Sequence, residues 1–242
     1  MPRRLDAPRL RLFCFPYAGG SATLFRDWPP HIPADVEVVG VQLPGRAFRL
    51  KEPPMKDMVS LLDALELQVE PYLDQVPFVF WGHSMGALLV FELMRRFQKK
   101  GAALPKLAIL SARRAPHLPK YQIDVAQMDD EEFINELRKL GGTPDEIINN
   151  KRLMKLVLPS LRADFELMYR WEHVAGDPLS IPLKVVGGKG DAPISEADLQ
   201  AWSQYSTAET TIEMFEGDHF YLHQPAVELL PWLSGVLSKL QV

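Results

Sequence analysis

One stretch of the sequence constrains the fold more than any other. An apolar run from Pro77 to Trp81 ends abruptly in Gly82-His83-Ser84-Met85-Gly86, and the residues that follow have helical character. This order predicts a strand, a tight turn and a helix, with Ser84 at the tip of the turn. Glycines on either side of such a serine let the strand and the helix approach closely. We therefore interpret Ser84 as a nucleophile and the Met85 amide, at the helix start, as a hydrogen-bond donor to an oxyanion.

The composition indicates a globular protein. Hydrophobic residues make up 47% and charged residues 24% of the chain, values far from those of disordered sequences. The length is most simply that of a single domain, and we predict one domain over residues 1–242. The net charge of −4 and the lack of a long basic run give nucleic-acid binding little electrostatic support.

The N-terminal sequence and the cysteine content favour a cytoplasmic protein. The basic start leads only into a short apolar stretch, Leu10 to Pro16, which is typical of a strand and not of a signal peptide. No apolar run reaches the length of about 18 residues that a membrane span needs, so we expect no membrane segment. Cys14 is the only cysteine, so no intrachain disulfide is possible, and its mid-strand position predicts a packing role.

Strand and helix patterns alternate along most of the chain. Strands are predicted at Arg9 to Phe15, Val36 to Leu43, Pro77 to Trp81, Lys106 to Ser111, Leu183 to Gly188 and Thr210 to Phe215. Helices are predicted at Met58 to Glu70, after Ser84 to about Lys100, at Glu196 to Gln204 and at Pro225 to Leu240, the last with a break at Pro231. Several strands are uniformly apolar, so we predict a mostly parallel central sheet with helices on both faces.

The segment 121–172 interrupts this alternation, because it contains helical patterns and no strand pattern. Its longest helical stretch runs from Asp145 to Trp171, and Pro159 is expected to kink or divide it. We interpret the segment as a helical lid inserted between two strands and lying over their carboxyl ends. The alternative is that these helices simply cover one face of the sheet.

A serine nucleophile needs a base, and the base needs an orienting carboxylate. His219 is the preferred base because it follows the last strand, where a loop can bring an imidazole to the serine; His223 is the reserve. His83 is next to Ser84 in sequence, so its side chain should point away and pack the turn.

Asp191 is the preferred acid because it follows an apolar strand within a glycine-rich loop. Asp218 competes, although sequence neighbours rarely face each other. The order Ser84, Asp191, His219 is the one expected when all three residues lie on strand-to-helix loops of one sheet.

The loop after the first strand is the expected source of a second oxyanion donor. Its glycines, in Pro16-Tyr17-Ala18-Gly19-Gly20, allow a close backbone approach. We choose the Ala18 amide, with the Tyr17 amide as the alternative; the loop is otherwise an ordinary turn. No cluster with metal-ligand spacing occurs, so neither a metal nor a cofactor is expected.

Five motifs together resemble a known family. They are Phe15-Pro16-Tyr17-Ala18-Gly19-Gly20-Ser21, Gln42-Leu43-Pro44-Gly45-Arg46, Gly82-His83-Ser84-Met85-Gly86, Leu161-Arg162-Ala163-Asp164 and Gly217-Asp218-His219-Phe220. In this order they resemble the type II thioesterases that accompany polyketide and nonribosomal peptide synthetases, which are similar to the medium-chain fatty-acyl carrier-protein hydrolases of animals.

The resemblance implies an α/β-hydrolase fold with a helical lid and a Ser-His-Asp triad at Ser84, His219 and Asp191. It implies hydrolysis of acyl groups from the phosphopantetheine thiol of a carrier protein, as editing, by a cytoplasmic monomer without a cofactor. Apolar lid residues are then candidates for an acyl channel: Leu153, Met154, Val157, Leu161, Phe165 and Met168. Cationic loop residues are candidates for docking an acidic carrier: Arg46, Arg49, Lys51, Arg113, Arg114 and Lys120. The alternative for the apolar residues is that they pack the core of the lid, and the alternative for the cationic residues is that they form an ordinary solvated surface.

Three other functions remain compatible with the same residues. An esterase of small esters would use the same triad on substrates that are not bound to a carrier protein. A binding protein would have the hydrolase fold without catalytic activity. A transferase replaces water with another acceptor.

Overall fold

The computed structural model describes residues 4–119, 123–224 and 228–241. Within these ranges there are six strands: β1 (Leu10–Phe15), β2 (Val36–Gly40), β3 (Phe78–His83), β4 (Leu107–Ser111), β5 (Leu183–Gly188) and β6 (Thr210–Phe215). The same ranges hold seven α helices: α1 (Met58–Val69), α2 (Met85–Lys100), α3 (Asp130–Leu140), α4 (Asp145–Ile148), α5 (Lys151–Arg170), α6 (Glu196–Gln200) and α7 (Leu229–Lys239). No helix in the described ranges is long and apolar enough to cross a membrane.

The strands form one sheet in the order β2-β1-β3-β4-β5-β6, and all its pairings are parallel. The prediction of a mostly parallel sheet is therefore confirmed. The chain moves to one side of β1 to form β2 and to the other side to form β3, so the strand order reverses between β1 and β3. In open parallel sheets, ligands bind at the carboxyl ends of the strands beside such a reversal. The loops after β1 and β3 meet at this place.

Both faces of the sheet are covered, which explains the uniformly apolar strands. In β1, Phe13 and Phe15 pack into the core beneath α1 and α2, whereas Leu12 and Cys14 pack into a second core with α7. Side chains alternate between the faces of a strand, so a strand buried on both faces must be apolar throughout. Burial raises the pKa of the Cys14 thiol, which keeps it protonated.

The helices α3, α4 and α5 lie between β4 and β5 and have a small core of their own, which includes Phe133, Leu137 and Leu158. Residues 121 and 122 of the predicted insertion lie outside the described residues. Of the kink or division predicted at Pro159, the division was wrong, because α5 is continuous through this residue. The division occurs before α5, where the Asn150 side chain accepts the amides of the first turn.

Two other boundaries differ from the sequence prediction. The strand β2 ends at Gly40 and not at Leu43. Pro231 does not break α7, because it occupies the third position of the helix, where the amide has no intrahelical partner to lose. The predicted helix start at Pro225 lies outside the described residues.

Candidate active site

Ser84 occupies a strained corner between β3 and α2. Its backbone has φ 52° and ψ −108°, a conformation that residues with a side chain rarely adopt. The Ser84 amide donates to the carbonyl oxygen of Ser111 at the end of β4, at 2.8 Å. The turn is thus anchored to the neighbouring strand, and the side chain is held at the carboxyl edge of the sheet.

The glycines beside Ser84 are required by close backbone contacts. A Cβ atom at Gly82 would lie 2.3 Å from the carbonyl oxygen of Gly86, and one at Gly86 would lie 2.1 Å from that of Phe15. The second contact brings the first turn of α2 against the end of β1. It therefore places the loop after β1 beside Ser84.

Gly86→Ala should destabilise the protein by about 3 kcal/mol or more, because the new methyl group meets backbone that cannot turn away. The matched control is Gly235→Ala in α7, where a Cβ atom has open space. That change should stabilise the helix by up to about 1 kcal/mol. Urea unfolding of both variants measures the difference, and equal stabilities would contradict the close-contact argument.

The loops after β5 and β6 bring an acid and a base together. The amide of Gly190 donates to the carbonyl oxygen of Gly217 at 2.8 Å, which ties the two loops together. His219 Nδ1 lies 2.7 Å from Asp191 Oδ2, and the Asp191 side chain is 1% exposed. A carboxylate in this position orients the imidazole and favours the tautomer whose Nε2 accepts a proton.

Ser84 and the His219–Asp191 pair line the same cavity. Among the described residues, no hydrogen bond joins Ser84 Oγ to His219. Catalytic hydrogen bonds are often long in a substrate-free site and shorten when substrate binds. The arrangement therefore brings a serine hydroxyl, an imidazole and a carboxylate to the wall of one cavity.

The competing residues have other partners. His223 Nε2 is 2.8 Å from the hydroxyl of Tyr17, and Asp218 Oδ1 accepts the amide of Phe220 at 2.8 Å within its own turn. His83 is buried, with Nδ1 2.7 Å from Ser111 Oγ. Burial, followed by the neighbouring His219, lowers the pKa of His83, so its ring is neutral.

The candidate oxyanion donors are backbone amides at the start of α2 and in the loop after β1. Met85 is the first residue of α2, so its amide has no intrahelical acceptor. In the loop after β1, the amides of Gly19 and Gly20 donate to Asp164 and Tyr17, whereas no described residue accepts the amide of Ala18 or of Tyr17. Both amides considered from the sequence are therefore available as donors, and Ala18 and Tyr17 both line the cavity.

The cavity has a volume of about 370 Å³, within the range of small-molecule sites. Its lining includes apolar residues from α3 and α5: Leu137, Leu140, Leu161, Phe165 and Met168. The other candidates for an acyl channel lie elsewhere. Met154 and Val157 pack within the core of these helices, and Leu153 is exposed.

Most of the predicted docking cations are not free surface residues. Arg114 donates to the carbonyl oxygens of Pro119 and Pro193, and Arg49 pairs with Glu52. Lys51 is exposed, and Lys120 lies outside the described residues. The docking interpretation was therefore wrong for Arg46, which is buried, and stays a prediction for the partly exposed Arg49 and Arg114.

Arg113 lines the cavity instead of the surface. Its guanidinium contacts Met168 Sδ at 3.8 Å and has no carboxylate partner among the described residues. Burial, followed by the charge of Arg114, lowers the pKa of Arg113 to about 10, so the group stays charged at neutral pH. Arg113 is thus a cationic donor in the cavity lining, able to bind oxygen atoms of a ligand.

Sequence reasoning missed a buried ion pair between Arg46 and Asp164. Arg46 was assigned to docking, and Asp164 had no role. Both residues lie in motifs that the family resemblance singled out, but no local pattern connects a loop after β2 with a helix 118 residues later.

Comparison with known proteins places these features in a family. The model of the thioesterase domain family matches residues 10–232. The gramicidin S biosynthesis protein GrsT of Aneurinibacillus migulanus is 37% identical over 232 residues, covering 96% of this chain and 90% of GrsT.

Two solved structures are similar along nearly the whole chain. RedJ, a thioesterase of the prodiginine pathway in Streptomyces coelicolor, is 33% identical with a TM-score of 0.88, covering 97% of this chain and 88% of RedJ. YbtT, a type II thioesterase of the yersiniabactin pathway, is 32% identical with a TM-score of 0.83, covering 99% of this chain and 96% of YbtT. The chain therefore belongs to the thioesterase domain family, with the α/β-hydrolase fold, and is a hydrolase of thioesters.

Proposed function

We propose that this protein releases acyl groups from the phosphopantetheine thiol of carrier proteins and so edits a polyketide or nonribosomal peptide synthetase. One observation carries the proposal: Ser84 and the His219–Asp191 pair line a cavity of about 370 Å³ together with apolar residues of α3 and α5. The names of the relatives support a role beside a synthetase, since GrsT belongs to gramicidin S biosynthesis and YbtT to a nonribosomal peptide and polyketide pathway.

The proposed reaction has two steps. In the first, His219 Nε2 takes the proton of Ser84 Oγ, and the oxygen attacks the thioester carbonyl. The amides of Met85 and Ala18 stabilise the resulting oxyanion. The carbon–sulfur bond then breaks, the thiol leaves with the proton from His219, and an acyl-serine remains.

In the second step, water replaces the thiol. His219 takes a proton from the water, the hydroxide attacks the acyl-serine, and the carboxylic acid leaves as Ser84 recovers its proton. Every proton is handled by His219, and Asp191 stabilises the imidazolium each time. The proposed mechanism therefore needs no cofactor and no metal.

The proposed function of the helices between β4 and β5 is to control access to the cavity. Because α3 and α5 supply the apolar wall, an acyl chain lies against them once the thioester reaches Ser84. We interpret these helices as a lid that excludes bulk water from the acyl-serine and shapes acyl-chain preference. The Arg113 guanidinium is placed to donate hydrogen bonds to oxygen atoms of the substrate within this chamber.

The proposed partner is an acyl or peptidyl carrier protein domain, bound by a cytoplasmic monomer. The exposed Lys51 and the solvent-exposed Phe48 lie together in the loop after β2 and are available for such a contact. The arginines buried in the protein are not part of it.

The test is a panel of acyl groups supplied on three scaffolds: a phosphopantetheinylated carrier domain, a small thioester and a matched small oxygen ester. We expect the carrier thioester to have a kcat/KM at least about tenfold above that of the small thioester, since docking adds binding energy of about 1.4 kcal/mol or more. Released acid is quantified by mass spectrometry.

The control is Ser84→Ala with the same substrates, which measures background hydrolysis. Equal kcat/KM for the ester and the carrier thioester would indicate a small-ester esterase. No turnover of any substrate, with no adduct of a fluorophosphonate at Ser84, would indicate a binding protein.

A further inference from the structure

A buried ion pair lies directly behind the loop that carries the Ala18 amide. Arg46 Nη1 and Nη2 donate to Asp164 Oδ2 and Oδ1 at 2.5 and 2.7 Å, and the two side chains are 7% and 1% exposed. Asp164 Oδ2 also accepts the amide of Gly19 at 2.7 Å, and Arg46 Nη1 lies 3.4 Å from the carbonyl oxygen of Gly20. The pair therefore holds the two residues that follow Ala18.

The contact joins three parts of the chain that are distant in sequence. Arg46 follows β2, Gly19 follows β1, and Asp164 lies on α5. One turn earlier on α5, Leu161 rests on the same loop, since a Cβ atom at Gly19 would lie 2.3 Å from Leu161 Cδ2. The position of the loop after β1 thus depends on the position of α5.

We propose that Arg46 and Asp164 are positioning residues, which fix the Ala18 amide for the oxyanion of the tetrahedral intermediate while α5 rests on the loop. The proposal depends on the proposed thioester hydrolysis at Ser84. It makes α5 a part of the catalytic apparatus as well as a wall of the acyl chamber: displacing α5 removes the carboxylate that holds Gly19 and loosens the oxyanion donor.

The proposed positioning role calls for a carboxylate at position 164. The two Asp164 oxygens accept from three donors, two on Arg46 and one on Gly19. Arginine has no acceptor, whereas a carboxylate on α5 has two acceptor oxygens, which suffice for the guanidinium fork and the backbone amide at once. Oxyanion donors act through their preorganised position, so a small displacement of the loop lowers the rate of the chemical step more than substrate binding.

The test replaces the whole pair, so that no lone buried charge remains. The double variant Arg46→Met/Asp164→Leu keeps apolar volume, and replacements of this kind are often neutral for stability. The matched control is Arg11→Met/Glu37→Leu, which removes another buried ion pair, with a contact of 2.6 Å. As in the first pair, the carboxylate of Glu37 also accepts a backbone amide, that of Leu5. Arg11 and Glu37 lie on β1 and β2 and do not line the cavity.

Both variants are assayed with a small acyl thioester, and thermal unfolding is recorded. We expect kcat to fall about 10- to 100-fold for the Arg46/Asp164 variant, with KM changed less than about threefold, and to stay near wild type for the control. Equal kcat in the two variants would overturn the proposal, whatever their stabilities.

The reversed pair, Arg46→Asp/Asp164→Arg, tests whether the Gly19 hydrogen bond is needed or whether an attraction between opposite charges at positions 46 and 164 is enough. It restores opposite charges but leaves the Gly19 amide without an acceptor on α5. We expect kcat to stay low, and recovery of kcat would overturn the proposal. Failure of the proposed function is distinguishable, because wild-type protein would then not hydrolyse the thioester or would do so no better than Ser84→Ala.

Discussion

Ser84→Ala is expected to lower kcat/KM for thioester hydrolysis by about 10⁴- to 10⁶-fold, the largest effect of any single change in this chain. The variant retains the Met85 amide and the cavity, so it keeps whatever rate these provide. It loses the covalent route, because water must then attack the thioester directly. Measuring kcat/KM with a carrier-bound acyl group, with the amount of folded protein checked by circular dichroism, gives the result.

A companion variant checks that the loss is chemical and not structural. Ser84→Gly also removes the nucleophile, but glycine adopts positive φ without strain, whereas alanine at φ 52° does not. We therefore expect Ser84→Gly to be more stable than Ser84→Ala by about 1 kcal/mol, with both equally inactive. If Ser84→Ala retained turnover within tenfold of wild type, Ser84 would not be the nucleophile.

Asp191→Asn should lower kcat by about 10³- to 10⁴-fold and leave the fold intact. The amide group is almost isosteric with the carboxylate, but it can present an N–H to His219 Nδ1 and so favour the tautomer whose Nε2 already carries a proton. Such an imidazole cannot accept the Ser84 proton. Steady-state kinetics on a small thioester measures the loss in kcat, and KM should change little.

The control for this prediction is Asp218→Asn, which removes the competing carboxylate. Asp218 Oδ1 accepts the amide of Phe220 within its own turn, and an asparagine oxygen preserves that bond. We expect kcat close to wild type for Asp218→Asn. A larger loss at Asp218 than at Asp191 would reassign the acid.

The sheet and the place of the candidate site could be predicted from the sequence. Strands buried on both faces leave uninterrupted apolar runs, and the run of Phe78–His83 is followed by a turn whose glycines have a steric reason. Parallel strands also gather their carboxyl-terminal loops at one edge. This rule is enough to bring Ser84, Asp191 and His219 to one cavity, although they are far apart in the chain.

The details of the helices between β4 and β5 could not be predicted from local rules. Pro159 reads as a helix breaker, yet its side chain is exposed on α5 while Leu158 and Leu161 are buried, so tertiary packing holds the helix together. Propensity was thus overridden by packing.

The roles of the arginines were also beyond the reach of sequence patterns. Arg46 and Arg113 occur in polar loops, which favours an exposed position. In the structure, Arg46 is buried against Asp164, and Arg113 turns inward to the cavity. Both placements depend on contacts with α5, whose position over the sheet no local periodicity specifies.

The burial of Cys14 has a practical consequence for studying motion. Its thiol is inaccessible between the sheet and α7, and it is the only thiol in the chain. A single cysteine introduced at an exposed position of α5, such as Lys155, would therefore react alone with a maleimide dye or a nitroxide. Spectroscopy on that label can follow the mobility and surroundings of α5 during turnover without first removing a native thiol.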